Sequence, residues 1–261
     1  MLFQIPDDML EHFPNDNQGI NLQLKIVFTA VLFLWGIISW VKSNRAELEN
    51  IQKVEKTRAV FGFSYALCRI AFILATNHQE GAHYDTWITT GYFFGLAGFT
   101  AFVYGIEKYQ LRQVPIFTLY GVIATFLTLT VYEGFLPGFH MVRETITPIV
   151  YVSSAVLAMV LLLLYGQLIS KFSGKLRKRT SYELLGMVFF VLGVVLDGRY
   201  VVTSPHIPMF YKEVIPPLMG AMGIVLVTFA HYTSEKLLPL TIVFSIILFA
   251  IFLMRIDEFY A

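Results

Sequence analysis

Cysteine is almost absent from this chain, since Cys68 is the only one among 261 residues. One cysteine excludes an intramolecular disulfide framework. Charge is also scarce: charged residues make up 14% of the chain and hydrophobic residues 56%, whereas soluble domains are about 25% charged. This balance predicts an integral membrane protein. A formal net charge of +1 favours neither nucleic acid nor an acidic macromolecule as a partner, and the bilayer itself becomes the expected one.

The N-terminus lacks the basic region of a secretory signal peptide. Residues 1–23 contain the acids Asp7, Asp8, Glu11 and Asp16 and have no lysine or arginine. A signal peptide begins with positive charge, so we interpret this segment as a retained acidic leader on the non-cytoplasmic side.

Eight apolar runs follow the leader, each long enough to cross a bilayer as a helix. The spans are predicted at about 24–41, 58–76, 87–106, 115–136, 146–169, 183–203, 214–232 and 238–254. The expected fold is therefore an all-α polytopic membrane helix bundle, with one transmembrane domain over 24–254 and a short tail at 255–261. The count becomes seven if the second span, interrupted by Arg69, or one of the last two does not cross.

Most of the 19 lysines and arginines follow the odd-numbered spans. The two largest groups lie in residues 42–58 and 171–179. Because positive residues in short loops remain cytoplasmic, the pattern predicts that both termini are non-cytoplasmic. We expect a multi-pass protein of the plasma membrane.

Three spans end in a similar rhythm at the predicted cytoplasmic side. Their sequences are Tyr104-Gly-Ile-Glu-Lys108, Tyr165-Gly-Gln-Leu-Ile169 and Tyr232-Thr-Ser-Glu-Lys236. The glycines Gly62, Gly121 and Gly186 recur with similar spacing near the start of the paired spans. Spans two and three, four and five, and six and seven are thus predicted to be three parallel helical-hairpin repeats, with a first and a last helix outside them. A shared need for interfacial tyrosine explains part of this match.

The returning helix of each predicted hairpin is rich in small residues, which let helix backbones approach closely in lipid. These residues are Gly91, Gly95 and Gly98 in the first hairpin, Ser153, Ser154, Ala155 and Ala158 in the second, and Gly220, Ala221 and Gly223 in the third. We expect these helices to form a tight inner seam.

Two predicted cytoplasmic loops carry further patterns. In residues 42–58, Leu48, Ile51 and Val54 have helical spacing, which predicts an amphipathic helix continuing the first span. The cations of residues 171–179 are suited to anionic lipid head groups, although topology control explains them equally well.

Four charged residues lie three or more positions inside the ends of the predicted spans: Arg69, Glu133, Asp197 and Arg199. Such groups are costly in a membrane and are candidates for function. Arg69 and Asp197 have similar predicted depths, so a bidentate Arg–carboxylate pair, shared with Glu133, is expected. Glycine follows both Glu133 and Asp197, which predicts a helix end at each acid. The group is interpreted either as the floor of a ligand site or as a structural polar clasp.

Other chemistry has little support in the sequence. His78, His83, His140 and His206 fall in predicted outer loops, where histidine and carboxylate together are a plausible zinc set, but no metal-site spacing occurs. No lysine lies in the interior of a span for a retinal Schiff base, since Lys25 stands at the very start of the first span, and no catalytic motif is present. We therefore expect no cofactor and do not expect an enzyme.

The segments YGIEK and YTSEK, together with LRKRTSYELLGMVFFVLGVVLDG, resemble the seven- or eight-span membrane domains at the front of archaeal sensor proteins. The resemblance covers most of the chain and rests on spacing, so it assigns no binding residue. It implies a receptor or sensory module that binds a small molecule or lipid from the outside. Because the chain ends at Ala261 without an output domain, we expect signalling through a cytoplasmic or membrane partner. A transporter or membrane enzyme using Glu133 and Asp197, and a structural subunit of a membrane complex, remain as alternatives.

Overall fold

The computed structural model describes residues 15–76, 82–132, 141–197 and 214–232, and within these residues all regular structure is helical. The helices are α1 (Asn15–Arg45), α2 (Glu49–Thr76), α3 (Ala82–Tyr104), α4 (Ile116–Thr128), α5 (Arg143–Lys171), α6 (Gly174–Leu196) and α7 (Ile215–Tyr232). A π-helical segment, Gly105–Gln110, follows α3, and a 3₁₀ turn, Leu129–Val131, follows α4. The predicted all-α class is confirmed.

Four of these helices have the length and apolar composition needed to cross a membrane: Leu22–Arg45 of α1, Glu49–Ala75 of α2, and all of α5 and α6. The helices Ile116–Val131 and Ile215–Ala230 are apolar but shorter. A helix needs about 20 apolar residues to span the hydrocarbon core, so the prediction of a helical membrane protein is confirmed at this level. The predicted eighth span and the tail at 255–261 lie outside the described residues. Most of the predicted leader lies outside them too, and its last part, residues 15–23, belongs to α1.

The segment after the first span differs from its prediction. It is helical from Glu49 onward, but it begins α2 instead of extending α1. Residues 46–48, which separate the two helices, are not helical. The Ser43 hydroxyl donates to the carbonyl of Gln52 at 3.1 Å, and Lys42 Nζ lies 2.8 Å from Glu55 Oε1. These bonds require α2 to fold back beside α1, which a continuous helix would prevent.

The chain divides into two compact units, residues 1–164 and 165–261. In the first unit, α1 packs on α2, α2 on α3, and α3 on α4. Its core contains a cluster of rings: Trp35 lies 5.2 Å from Phe61, and Phe61 lies 5.6 Å from Phe99, measured between centroids. A Cβ on Gly62 would lie 2.8 Å from the Cα of Gly36, so the backbones of α1 and α2 touch where they cross.

The returning helix α3 packs against α2 through the predicted small residues. Gly91 faces the ring of Phe72, Gly95 faces Cys68, and Gly98 faces Ser64. The predicted small-residue seam is confirmed between these two helices, because larger side chains would separate them.

The second predicted hairpin, α4 with α5, is different. A groove of about 370 Å³ lies between the two helices, lined almost entirely by apolar atoms. The hydroxyl of Tyr120 crosses it and donates to Ser153 Oγ at 3.0 Å. Ser153 therefore forms a polar bridge here instead of the expected tight seam.

The second unit contains the end of α5, α6 and α7. Helices α6 and α7 pack backbone to backbone through glycines on both sides: a Cβ on Gly223 would lie 2.5 Å from the carbonyl oxygen of Gly186, and one on Gly193 would lie 2.6 Å from the nitrogen of Gly220. The predicted close packing of these two helices is thus confirmed. Met222, Leu226 and Ala230 complete the contact, with Tyr182 and Phe189 against them.

Candidate functional site

Polar and aromatic side chains from three elements meet at one end of the first unit. They come from the start of α3, the turn after α4 and the start of α5. We call this group the outer cluster, because the predicted topology assigns these helix ends to the non-cytoplasmic side. Its members are Tyr84, Asp85, Thr86, Thr90, Tyr132 and Arg143.

Arg143 connects α5 to α3. Its Nε lies 2.7 Å from Asp85 Oδ1, and its guanidinium carbon lies 5.0 Å from the centroid of the Tyr84 ring. Glu144 Oε1 lies 3.3 Å from Nη2 of the same arginine. The Arg143 side chain is 21% exposed and that of Asp85 42%, so the pair remains accessible to a molecule arriving from solvent. A guanidinium held between carboxylates and a ring has a fixed orientation, and its remaining N–H groups can donate to a polar atom of a ligand.

Tyr132 connects the end of α4 to α3. Its hydroxyl lies 2.8 Å from Thr90 Oγ1 and donates to the carbonyl oxygen of Thr86 at 3.1 Å. In the outer cluster, Tyr84 thus makes a cation–π contact and Tyr132 makes two hydrogen bonds.

Thr89 lies on the same face of α3 as Asp85 and Tyr92, since residues three and four apart are neighbours on a helix. It is fully buried, and within the described residues its hydroxyl has no hydrogen-bond partner. A buried hydroxyl without a partner costs about 1–3 kcal/mol, so a polar ligand atom at this position would stabilise the cluster.

Aromatic rings lead from the outer cluster towards Arg69. The Tyr151 ring lies 6.2 Å from that of Tyr92, which lies 5.9 Å from that of Phe72. Arg69 precedes Phe72 by one turn of α2. It is buried, and its guanidinium carbon lies 5.3 Å from the centroid of the Phe28 ring on α1. The structure thus shows a buried cation against an aromatic face, a favourable contact in a desolvated setting.

Of the other predicted site residues, Asp197 directly follows α6 and donates its N–H to the Gly193 carbonyl at 3.0 Å. The helix end predicted at this acid is confirmed. Asp197 belongs to a different unit from Arg69, and their pairing stays a prediction. Glu133 and Arg199 lie outside the described residues.

Of the four candidate histidines, the structure describes one. His83 is exposed at the start of α3, whereas His78, His140 and His206 lie outside the described residues. In the part of the chain that the structure describes, no three side chains of His, Cys, Asp or Glu form a group suited to a metal ion.

Sequence reasoning missed a buried ionic group where α1 meets α2. Glu55 and Arg58 are both buried, and Arg58 Nη1 lies 3.0 Å from Glu55 Oε1, the oxygen that Lys42 also approaches. The spacing of Glu55 and Arg58, three residues apart on a helix, was a usable signal. The sequence predicts both residues in an amphipathic cytoplasmic helix that continues the first span, and it gives no sign of the helix break at residues 46–48.

Glu107 was also missed, and it has a structural role. Its carboxylate accepts hydrogen bonds from the Thr118 N–H at 2.9 Å, the Thr118 hydroxyl at 2.7 Å and the Phe117 N–H at 3.3 Å. It therefore caps the N-terminus of α4 from the preceding π-helical segment, a position where a carboxylate also complements the helix dipole.

Nearby, the Tyr104–Tyr109 hydrogen bond raises the pKa of Tyr109, with further contributions from burial and nearby negative charge.

A buried carboxylic acid also occurs in the second unit. Tyr165, which is fully buried, donates its hydroxyl to Glu183 Oε2 at 3.2 Å. The tyrosine that sequence reasoning treated as an interface anchor is thus a hydrogen-bond donor in the core.

No family model matches the chain, and neither the curated proteins nor the solved structures include a significant match.

Proposed function

We propose that this protein is a membrane receptor or sensory module that binds a small amphipathic molecule or lipid at the outer cluster and signals through a partner. The observation that carries the proposal is the convergence of Arg143, Asp85 and Tyr84 from two helices around an accessible guanidinium. The buried Thr89 hydroxyl supports it, because a ligand would supply the partner that it has not found among the described residues.

The finer architecture belongs to the same proposal. We propose eight spans with both termini non-cytoplasmic, in the plasma membrane, and three parallel hairpins at spans two to seven. As the sequence predicts, Arg69, Glu133, Asp197 and Arg199 would form the polar floor of the ligand site. In this arrangement a ligand bound between α3 and α5 changes the forces on both helices, and their opposite ends carry that change towards the partner.

The proposal is tested by extracting bound molecules from gently purified protein and identifying them by mass spectrometry. We expect the wild-type protein to release one small molecule or lipid in near-stoichiometric amount. Arg143→Gln should release about tenfold less, because it loses a charged hydrogen bond at the ligand. Arg45→Gln removes an exposed arginine at the other end of the first unit and should release the wild-type amount.

Equal release by the two variants would contradict the proposal. A second protein in near-stoichiometric amount, with no small molecule, would favour the structural-subunit alternative. Asp197→Asn tests the polar floor: we expect less bound molecule with membrane insertion intact, whereas reduced stability with an unchanged amount of bound molecule per folded protein would identify a structural clasp.

A further inference from the structure

The junction between α5 and α6 combines exposed positive charge with an exposed apolar stripe. Only Phe172 and Ser173 separate the two helices. Both helices can cross a membrane, and α5, with 29 residues, is about 43 Å long, which exceeds the roughly 30 Å hydrocarbon core. The junction must therefore lie at the depth of the lipid head groups.

Cations are concentrated at this junction. They are Lys171, Lys175, Arg177, Lys178 and Arg179, and all except Arg179 are exposed. Within α6, no acidic residue occurs in the first turn. An exposed cluster of this sign at head-group depth attracts anionic lipid.

An apolar stripe on α6 continues directly from these cations. Ser181, Leu185, Leu192 and Val195 are all exposed, and their spacing of four, seven and three residues places them on one side of the helix. Arg177 and Lys178 lie at the same side one turn earlier. The opposite side of α6 carries the buried residues Met187 and Phe190, so the stripe is not part of the core of the second unit.

We infer that this face binds an anionic phospholipid, with its phosphate at Arg177 and Lys178 and an acyl chain along Leu185, Leu192 and Val195. Along this face, cations come first, then the hydroxyl of Ser181, then an apolar track of about 15 Å from residue 185 to 195. These groups complement, in the same order, the phosphate, the polar backbone and the acyl chain of such a lipid. A zwitterionic lipid offers the same acyl chains without the net charge that the cations complement.

The inference is tested with purified full-length protein in neutral detergent, titrated with phosphatidylglycerol or with phosphatidylcholine of the same acyl chains. Bound lipid is counted by mass spectrometry of the intact protein. We expect a preference for phosphatidylglycerol that falls as salt rises, because the interaction is screened. The double variant Arg177→Gln/Lys178→Gln should bind this lipid about thirtyfold more weakly, since each cation near the surface contributes about a factor of five.

The matched control is Arg45→Gln/Lys56→Gln, which removes one exposed arginine and one exposed lysine from the first unit. It should keep wild-type affinity, and Arg177→Lys/Lys178→Arg should keep it too. An equal loss in both glutamine variants, or equal binding of the two lipids by the wild type at every salt concentration, would overturn the inference. The salt titration needs only the wild-type chain, so the test does not depend on the folding of any variant.

Discussion

Gly223→Ala is expected to separate α6 from α7 and to lower the free energy of unfolding by at least about 2 kcal/mol. The added Cβ would lie 2.5 Å from the carbonyl oxygen of Gly186 and 2.5 Å from the backbone nitrogen of Phe190. Both obstacles are backbone atoms, so no side-chain rotation relieves the contact, and overpacking of this kind costs about 1–3 kcal/mol even where side chains can move. The measurement is unfolding of the purified protein in mixed micelles, followed by circular dichroism.

The chain offers graded controls for this substitution. Gly166 on α5 has open space around its Cα, so Gly166→Ala should be neutral or slightly stabilising through helix propensity. Gly95→Ala should be intermediate, because its Cβ would meet the Cys68 sulfur at 3.2 Å and a side chain can shift. If all three variants unfold alike, the α6–α7 contact is not the backbone seam described above.

Glu55→Gln is expected to cost about 3–5 kcal/mol of stability. Glu55 Oε1 faces both Lys42 Nζ at 2.8 Å and Arg58 Nη1 at 3.0 Å, and Arg58 is buried. Removing one partner of a buried ionic group leaves charge in a desolvated place, which is far more costly than the net value of the pair. The same unfolding measurement applies, and helix content by circular dichroism before unfolding shows whether α1 and α2 still form.

The exposed pair Glu49–Lys53 is the control for this charge change. It lies on the same helix with an N–O distance of 2.5 Å, but its side chains are 74% and 41% exposed. Glu49→Gln should leave stability unchanged within error, because water and salt screen such pairs. A similar effect of the two substitutions would mean that Glu55 is not buried in an ionic group.

The length of the apolar runs was enough to predict the helices. The small residues in these runs were enough to predict the close packing of α2 with α3 and of α6 with α7. Both signals are local in the sequence. The reversal between α1 and α2 was not predictable in the same way. It depends on Ser43 and Lys42 reaching Gln52 and Glu55, which become neighbours only after the chain has turned. Apolar periodicity also continues through the break, so it carries no stop signal there.

The candidate site was predictable only in part. Buried Arg69 and the helix end at Asp197 follow from single residues in apolar runs. Arg143, in contrast, lies in a loop-like sequence, and its importance depends on Asp85 and Tyr84, more than fifty residues away. The cap of α4 by Glu107 likewise depends on the π-helical segment, for which the sequence has no established signature. Contacts between distant residues decide these features, and one sequence does not encode them in a local pattern.

In the proposed topology the start of α5 lies outside the membrane and the α5–α6 junction lies on its cytoplasmic side. The most direct measurement is labelling of intact cells with a membrane-impermeant thiol reagent. The single native cysteine, Cys68, is buried and gives little background. Glu144→Cys, beside the outer cluster, should be labelled in intact cells, whereas Ser173→Cys, at the α5–α6 junction, should be labelled only after the membrane is opened. Labelling of Ser173→Cys but not of Glu144→Cys in intact cells would contradict the account.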